Sequence, residues 1–409
     1  MMSLGKIIRN FSTLVSSYAI ERALYLVLIV VLARWGGTEL LGKYAFTFAM
    51  TGFLGTLTNL GIGSLLLRDV AKHKDKVGQY IWNSAGIRLA TLACTGFSAV
   101  LLTHYMGKGH DVVISMYAAL VVYFLNNMRA ILSNVLLAFE RAGVVSSISI
   151  TQNLISISIA IYMILTRPHL FNIVLGFVVG SVVGFLLTVW FSREYVFPRS
   201  RISVDFCRII LSRSFPYVAG TVYSSLYMYL PILMISYFSG DVLAGFYRSA
   251  LAITNVYGSV TSLFMVSSVP VLTGVLDDRK KASGLLSSIR RVVFYIGVPM
   301  LALIFVFAGQ ILTLVYGPQF ARSTDALRIL VISEVVSLVM FPRFLAISSG
   351  GLQRMYMTIF GFASIAYITF SLILVPHYTL EGAAFSVLLT SIIILILLEW
   401  NKHAYLRDK

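Results

Sequence analysis

Long apolar stretches recur along this chain at intervals of roughly 30 residues, and each is long enough to cross a ~30 Å hydrocarbon layer as a helix. Scanning with a window of about 19 residues places such spans near 11–33, 40–62, 82–105, 112–138, 145–166, 170–192, 215–238, 242–270, 291–315, 325–348, 354–376 and 379–400. The expected fold class is therefore all-α and polytopic, with about twelve transmembrane helices. Composition leaves little room for another solvent: 58% of the 409 residues are hydrophobic and only 12% are charged, against about 25% charged in an ordinary soluble domain. Barrel strands would show about ten residues of alternating polarity, and these segments are continuous apolar runs. A helix also satisfies its own backbone N–H and C=O groups, which hydrocarbon demands. The first span is too long, and too polar in its middle, for a cleaved signal peptide.

Basic residues orient the spans. Alternate turnings carry Lys6 and Arg9; Arg68, Lys72, Lys74 and Lys76; Arg193, Arg199, Arg201, Arg208 and Arg213; Arg279, Lys280, Lys281, Arg290 and Arg291; and Lys402, Arg407 and Lys409. The opposite turnings hold scattered ones such as Arg34, Lys108, Arg167 and Arg322. By the positive-inside rule both termini are cytosolic, in a multi-pass protein of the cytoplasmic membrane. The formal net charge of +16 is then charge facing anionic headgroups, about 1 kcal/mol per contact. It does not signal nucleic acid, since no soluble segment interleaves aromatic and basic residues. Cys94 and Cys207 are placed too far apart to bridge, the six histidines are scattered, and no Cys/His group has metal-binding spacing. No metal and no cofactor is expected.

Residues 37–44, GTELLGKY, come one letter from the phosphate loop G-x-x-x-x-G-K-[ST]. That loop needs a buried strand before it and a Ser/Thr at its end; here a membrane span precedes and Tyr44 stands last. The segment instead has a second copy 203 residues on, Gly240-Asp-Val-Leu-Ala-Gly245-Phe-Tyr247, which keeps Gly, Leu, Gly and Tyr and loses the lysine to Phe246. A tight turn with an interfacial tyrosine is the feature being repeated. Upstream, Arg9-Asn-Phe11 matches Arg213-Ser-Phe215. The repeat divides the chain into two six-helix bundles, 1–200 and 201–409, of like orientation, and such parallel repeats form transporters with a central cavity. The segment from Phe206 to Arg213 reads as an amphipathic connector along the inner surface.

Chemistry should rest on polar groups at membrane depth, where a charge costs about 2.5–3.5 kcal/mol to insert and marks function. Span 1 carries Glu21 and Arg22 with Ser17, Tyr18 and Tyr25 on one polar face. Arg88 lies in span 3, and Arg129 with Asn126 and Ser133 in span 4. Arg248, Asn255, Ser259 and Ser262 recur at helical spacing in span 8, and Glu334 and Arg343 lie in span 10. From the topology, Arg88 and Arg129 belong to the inner third, Arg22 to the middle and Arg248 to the outer third: a staircase of cations. Guanidinium pairs bidentately with phosphate oxygens, so this cavity suits an anionic, phosphate-bearing cargo. Arg88 and Arg343 have an equal alternative, snorkelling to the cytosolic headgroups. Glu21 and Glu334 are the candidates for coupling a cation, and Asp241 and Glu381 read as helix caps. Asp277-Asp278, beside Arg279, Lys280 and Lys281, reads as a solvated charge run.

The stretches NFSTLVSSYAIERALYLVLIVVLARWGG and LLGKYAFTFAMTGFLGTLTNLGIGSLLLRDVAKHKDK resemble the start of the polysaccharide flippases of the multidrug/oligosaccharidyl-lipid/polysaccharide exporter superfamily. Shared features are an Arg-ending first span, an L-G-x-Y entry to the second and a G-I-G-S-x-x-x-R-D exit. The resemblance implies two six-helix bundles in a V and movement of a lipid-linked oligosaccharide to the outer leaflet, with Arg22 and Arg248 answering to the family's cavity arginines. Implied partners are that cargo, membrane lipids, and glycan polymerase or glycosyltransferase proteins. The related lipid II flippases have two further C-terminal spans. A drug or metabolite exporter of the same superfamily is the alternative; it would favour cavity carboxylates over arginines, the reverse of this sequence. A membrane glycosyltransferase would need a long external loop or a D-x-D pair, whereas the external loops here read as about ten residues.

Overall fold

The computed structural model describes residues 4–59, 61–196, 200–214, 218–273, 279–349 and 353–401. Arg199, Phe215, Asp277, Asp278, Lys402, Arg407 and Lys409, all used in the sequence reading, lie outside them. Every regular element among the described residues is helical. Two compact units divide the chain, Met1–Ser225 and Leu226–Lys409.

In the first unit, α1 (Leu4–Val31) runs through a π turn at Leu32–Gly36 into α2 (Gly37–Asn59). After Gly61, whose φ of 72° suits glycine, comes the amphipathic α3 (Ile62–Lys72). A 3₁₀ turn at Lys74–Lys76 leads to α4 (Val77–Tyr105), followed by α5 (His110–Ala138), α6 (Ala142–Thr166), α7 (Leu170–Val196) and α8 (Val204–Ser214). α7 packs on α5 and α6, α1 lies against α6, and α2 against α4 and α5. Three small residues make the α6–α7 contact close. A Cβ on Gly176 would meet the Ala160 backbone N at 2.9 Å, one on Gly180 the Gln152 carbonyl at 2.7 Å, and one on Gly184 the Gln152 side chain at 2.1 Å. Backbones approach closely where glycines recur every fourth residue, since tight packing substitutes for the hydrophobic drive that lipid removes.

The connector α8 is amphipathic as expected and packs on α3 and α4. Ile210 is buried among Ile62, Leu66, Tyr80 and Ile131, and Phe206 sets its ring edge-on to Tyr80 at 5.1 Å. Asn83 Oδ1 accepts the Ser203 backbone N–H at 2.7 Å, and Arg213 pairs with Asp69 at 3.5 Å.

Helix α9 (Val218–Phe238) passes into the second unit, which continues as α10 (Asp241–Thr273), α11 (Arg279–Val306), α12 (Ala308–Tyr316), a 3₁₀ segment (Pro318–Ser323), α13 (Thr324–Ser349) and α14 (Gln353–Trp400). α13 is the hub, packed on α10, α11 and α14. α14 breaks at Thr379, φ 48° and ψ −111°. The chain reverses there, because a Cβ on Gly382 would fall 2.2 Å from the Leu374 carbonyl oxygen. One span expectation changes: 291–315 stops at Val306, and the residues after it form α12, so the turning between α11 and α13 is longer than the expected ten or so residues.

Eight stretches among the described residues are long and apolar enough to cross a membrane. Two of them, Ser16–Thr56 with 41 residues and Met355–Trp400 with 46, would measure about 60 and about 70 Å if straight, at least twice the hydrocarbon thickness, and these are the two that contain the π turn and the Thr379 break. α9 and α10 are helical but not among the eight. Outward-facing side chains are apolar: Trp190 is 63% exposed, Tyr162 62% and Ile365 65%, as expected of helices whose solvent is lipid.

Both copies of the glycine turn are real at the backbone. Gly37 and Gly240 have φ of 77° and 89° and open α2 and α10. The tyrosines behave differently from the interfacial role read from sequence. Tyr44 is 3% exposed and Tyr247 0%, because each sits about two turns inside its helix on the face packed into its own unit.

Candidate functional site

The polar side chains of the first unit converge from four helices. α1 brings Tyr18, Glu21, Arg22 and Tyr25 onto adjoining turns. Arg22 lies on the exposed side, where its Nη2 donates to the Tyr18 hydroxyl at 2.6 Å and its guanidinium carbon sits 4.7 Å from the Tyr18 ring centre. Tyr25 packs at 6.4 Å from Phe177 of α7. Glu21 faces inward and interacts electrostatically with Arg129 of α5 and with Arg22.

α5 is the axis of the cluster. Arg129 Nη1 donates to Ser149 Oγ of α6 at 3.2 Å, while its buried Nε has no hydrogen-bond partner. One turn away, Asn126 Nδ2 donates to Ser181 Oγ of α7 at 3.3 Å, and Asn126 Oδ1 accepts from Gln152 Nε2 of α6 at 2.9 Å. The buried Gln152 Oε1 is also unpartnered. Native buried polar atoms are rarely left this way, so the cluster around Arg129 has spare donor and acceptor capacity. Gln152, Ser149 and Ser181 were missed from sequence. Their signal was present, as neutral polar residues in α6 and α7, but single Ser and Gln residues are common in membrane helices and need a partner to stand out.

Arg88 of α4 is placed apart from that cluster, 1% exposed. Its Nη2 donates to Asn59 Oδ1 at 2.8 Å and its Nη1 to the Asn127 carbonyl. Around it, Tyr123 donates to the Gly55 carbonyl, and Thr58 reaches Asn127 Oδ1 at 3.5 Å. Asn126 and Asn127, adjacent in α5, thus serve different seams: one faces α6 and α7, the other α2 and α4.

In the second unit the named residues are dispersed. Arg248 of α10 is half-buried and in electrostatic contact with Tyr316 of α12. Asn255 is half-buried further along α10. Glu334 of α13 interacts with Tyr257 of α10. Arg343 of α13 pairs with Glu399 of α14 and donates to the Val339 carbonyl at 2.5 Å, beside Pro342 where the helical ladder is interrupted. Asp241 bonds to Ser236, and Glu381 pairs with Arg322 at 3.6 Å. Among the described residues no group of three or more His, Cys, Asp or Glu comes together, and both cysteines are free.

A second echo between the halves emerges from the helices. Asp111 opens α5 and Asp325 opens α13; eighteen residues on from each stands Arg129 or Arg343. This offset is 214, against 203 for the glycine turns, and the difference falls where α12 and the 3₁₀ segment are inserted. A fixed shift misses it for that reason.

Comparison with known proteins puts these features in company. Residues 7–275 match the model of a family described as "Polysaccharide biosynthesis protein". The "Putative O-antigen transporter" of Shigella flexneri is 22% identical over 412 residues, covering 96% of this chain and 97% of that protein. Staphylococcus aureus "Capsular polysaccharide biosynthesis protein CapF" is 20% identical over 398 residues, 95% of this chain and 97% of its own length. Among solved structures, the lipid II flippase MurJ in an inward closed conformation superposes with a TM-score of 0.79 at 16% identity, over 96% of this chain and 87% of that one. An inward-facing multidrug resistance MATE transporter of the MOP superfamily gives 0.69 at 17% identity, over 94% of each chain. The structural likenesses establish the fold, and the family match, which spans well over half of the chain, establishes that this protein belongs to the polysaccharide biosynthesis protein family.

Proposed function

We propose that the protein is a membrane flippase for an oligosaccharide linked to a polyprenyl phosphate or diphosphate, moving it from the cytosolic to the outer leaflet by alternating access of two like-oriented bundles, 1–200 and 201–409. The named functions of its full-length relatives support the cargo class. Lys and Arg cluster at the turnings after α2, α7 and α10, and the positive-inside rule supports a cytosolic location for that end and both termini.

The observation that carries the reading is Arg22, a cation midway along an apolar helix that lies on the exposed side of its unit, held by Tyr18 and backed by Glu21 and Arg129. A charge at that depth is costly in lipid and favourable in a hydrated cavity facing phosphate. In this mechanism Arg129, with its unspent Nε, and Arg22 receive the headgroup from the cytosolic side, and Arg248 with Asn255 takes it toward the outer side. Tyr18, Tyr25 and Asn126 hold the cations in register. Arg88 and Arg343, committed to Asn59 and Glu399 here, reach cargo in a conformation in which those seams reopen. Glu21 and Glu334 are the groups that would couple proton or sodium movement. Membrane lipids surround the protein, and glycan polymerase or glycosyltransferase proteins are its proposed neighbours.

Proteoliposomes test this directly. A lipid-linked oligosaccharide bearing diphosphate should cross protein-dependently and become accessible to an external glycosidase, while an uncharged glycolipid with the same sugar should not. Equal movement of both, or of neither, would reject the phosphate-directed flippase.

A further inference from the structure

The turn end of the first unit carries a cavity of about 700 Å³, within the usual range for small-molecule sites. Its walls come from the α1–α2 turn, the start of α5 and the α6–α7 turn. Trp35 stands in it 58% exposed. Lys43 reaches Glu39 Oε1 and Asp111 Oδ2, each at 2.8 Å, and the Asp111 carboxylate is also held by backbone N–H groups at the start of α5. His169 also lines it.

Two bland explanations are available, and both fall short. A tryptophan near a helix end is commonly a membrane-interface anchor, but an anchor needs no charged triad beside it. Exposed ion pairs contribute little to stability, so folding does not explain why three charges are gathered around a hollow. The internal repeat supplies an independent control. At the second copy the same positive-φ glycine opens α10 and the same tyrosine is buried, yet Val242 replaces Glu39, Phe246 replaces Lys43 and Phe238 replaces Trp35. Asp325, the counterpart of Asp111, pairs with Arg328 of its own helix instead, at 3.6 Å. The turn therefore folds without these groups, and their presence in the first unit calls for another cause.

We propose that this cavity is a saccharide-binding subsite on the outer face, which takes one or two sugar rings of the glycan as it emerges. It rests on the flippase reading and its orientation. An indole face offers an apolar platform to the C–H side of a sugar ring, the carboxylates accept from neighbouring hydroxyls, and the Lys43 ammonium donates to ring or hydroxyl oxygens. This combination of a flat apolar surface and fixed polar groups suits a neutral or N-acetylated sugar and disfavours an acidic one, because two carboxylates face one lysine.

The test uses the full-length protein in nanodiscs and saturation-transfer NMR with glucose, galactose, rhamnose, N-acetylglucosamine and glucuronic acid as probes. The expected result is transfer to at least one neutral or N-acetylated sugar, reduced at least fivefold in Trp35→Ala and in Glu39→Gln, with weaker transfer to glucuronic acid. Melting temperature of each variant is measured alongside, and transfer is compared only among variants that retain it. Absence of transfer to every probe, or transfer unchanged in both variants, overturns the subsite. Transport of the lipid-linked oligosaccharide by the native chain is scored separately. Transport without sugar binding removes the subsite alone, whereas sugar binding without transport removes the flippase reading and leaves a binding protein.

Discussion

A single arginine at membrane depth has three fates in this protein, and its partners decide which. Arg88 is enclosed and donates to Asn59 and Asn127; Arg343 is neutralised by Glu399; Arg22 lies on an exposed helix face and donates to Tyr18. All three read alike in sequence, as a cation in an apolar run. What separates them is supplied by residues 29, 39 and 56 positions away, which periodicity does not connect. The electrostatic interaction of Glu21 with Arg129 has the same character, since the two lie on helices α1 and α5. If they are a coupled pair, Glu21→Gln and Arg129→Gln should be non-additive, with an interaction energy on the order of 1 kcal/mol in reversible unfolding from mixed micelles. Additive losses would mean that each acts alone. A charge swap makes a parallel case: Arg343→Glu with Glu399→Arg should retain more thermal stability than either single change, because each single change leaves a half-buried charge unpaired.

At the scale of elements the legibility is uneven. Continuous apolar runs identify α4 to α7 to within a few residues, because lipid imposes length on a helix directly. Shorter helices escape that constraint. α12 is apolar and follows α11 after a single residue, Phe307, with no glycine or proline between them to announce the break, so the two read as one span. The seam between α6 and α7 was also hidden, since glycines at 176, 180 and 184 acquire meaning only opposite Ser156, Gln152 and Ala160. It makes a sharp prediction. Gly180→Ala drives a Cβ into the Gln152 carbonyl at 2.7 Å and should destabilise the unit by about 1–3 kcal/mol as overpacking does. Gly143→Ala, whose Cβ would meet nothing within 4 Å, should be neutral or stabilising by up to about 1 kcal/mol through helix propensity. Melting temperatures in the same detergent compare the two; equal losses would mean that the seam is not close-packed.

Taken whole, the chain is two units that share a plan and differ in where charge is kept. The glycine turns at 37 and 240 and the Asp-to-Arg spacing in α5 and α13 mark the common plan. The differences are the Glu39, Lys43 and Asp111 triad and the Glu21, Arg129 and Gln152 cluster of the first unit, against the electrostatic interaction of Glu334 with Tyr257 in the second. Membrane class and family affinity were legible because the solvent writes itself into every span. Site geometry was legible only as a set of candidate residues, since hydrogen-bond partners come from distant helices. The central claim is that arginines at membrane depth meet a phosphate headgroup, and its most direct measurement is the initial rate of lipid-linked oligosaccharide translocation in proteoliposomes for the native chain, Arg22→Ala and Arg248→Ala at matched protein content and unchanged melting temperature. The account predicts at least a tenfold lower rate for Arg22→Ala, about 1.4 kcal/mol of lost interaction, a comparable loss for Arg248→Ala, and partial recovery in Arg22→Lys. Native rates in both alanine variants would contradict it.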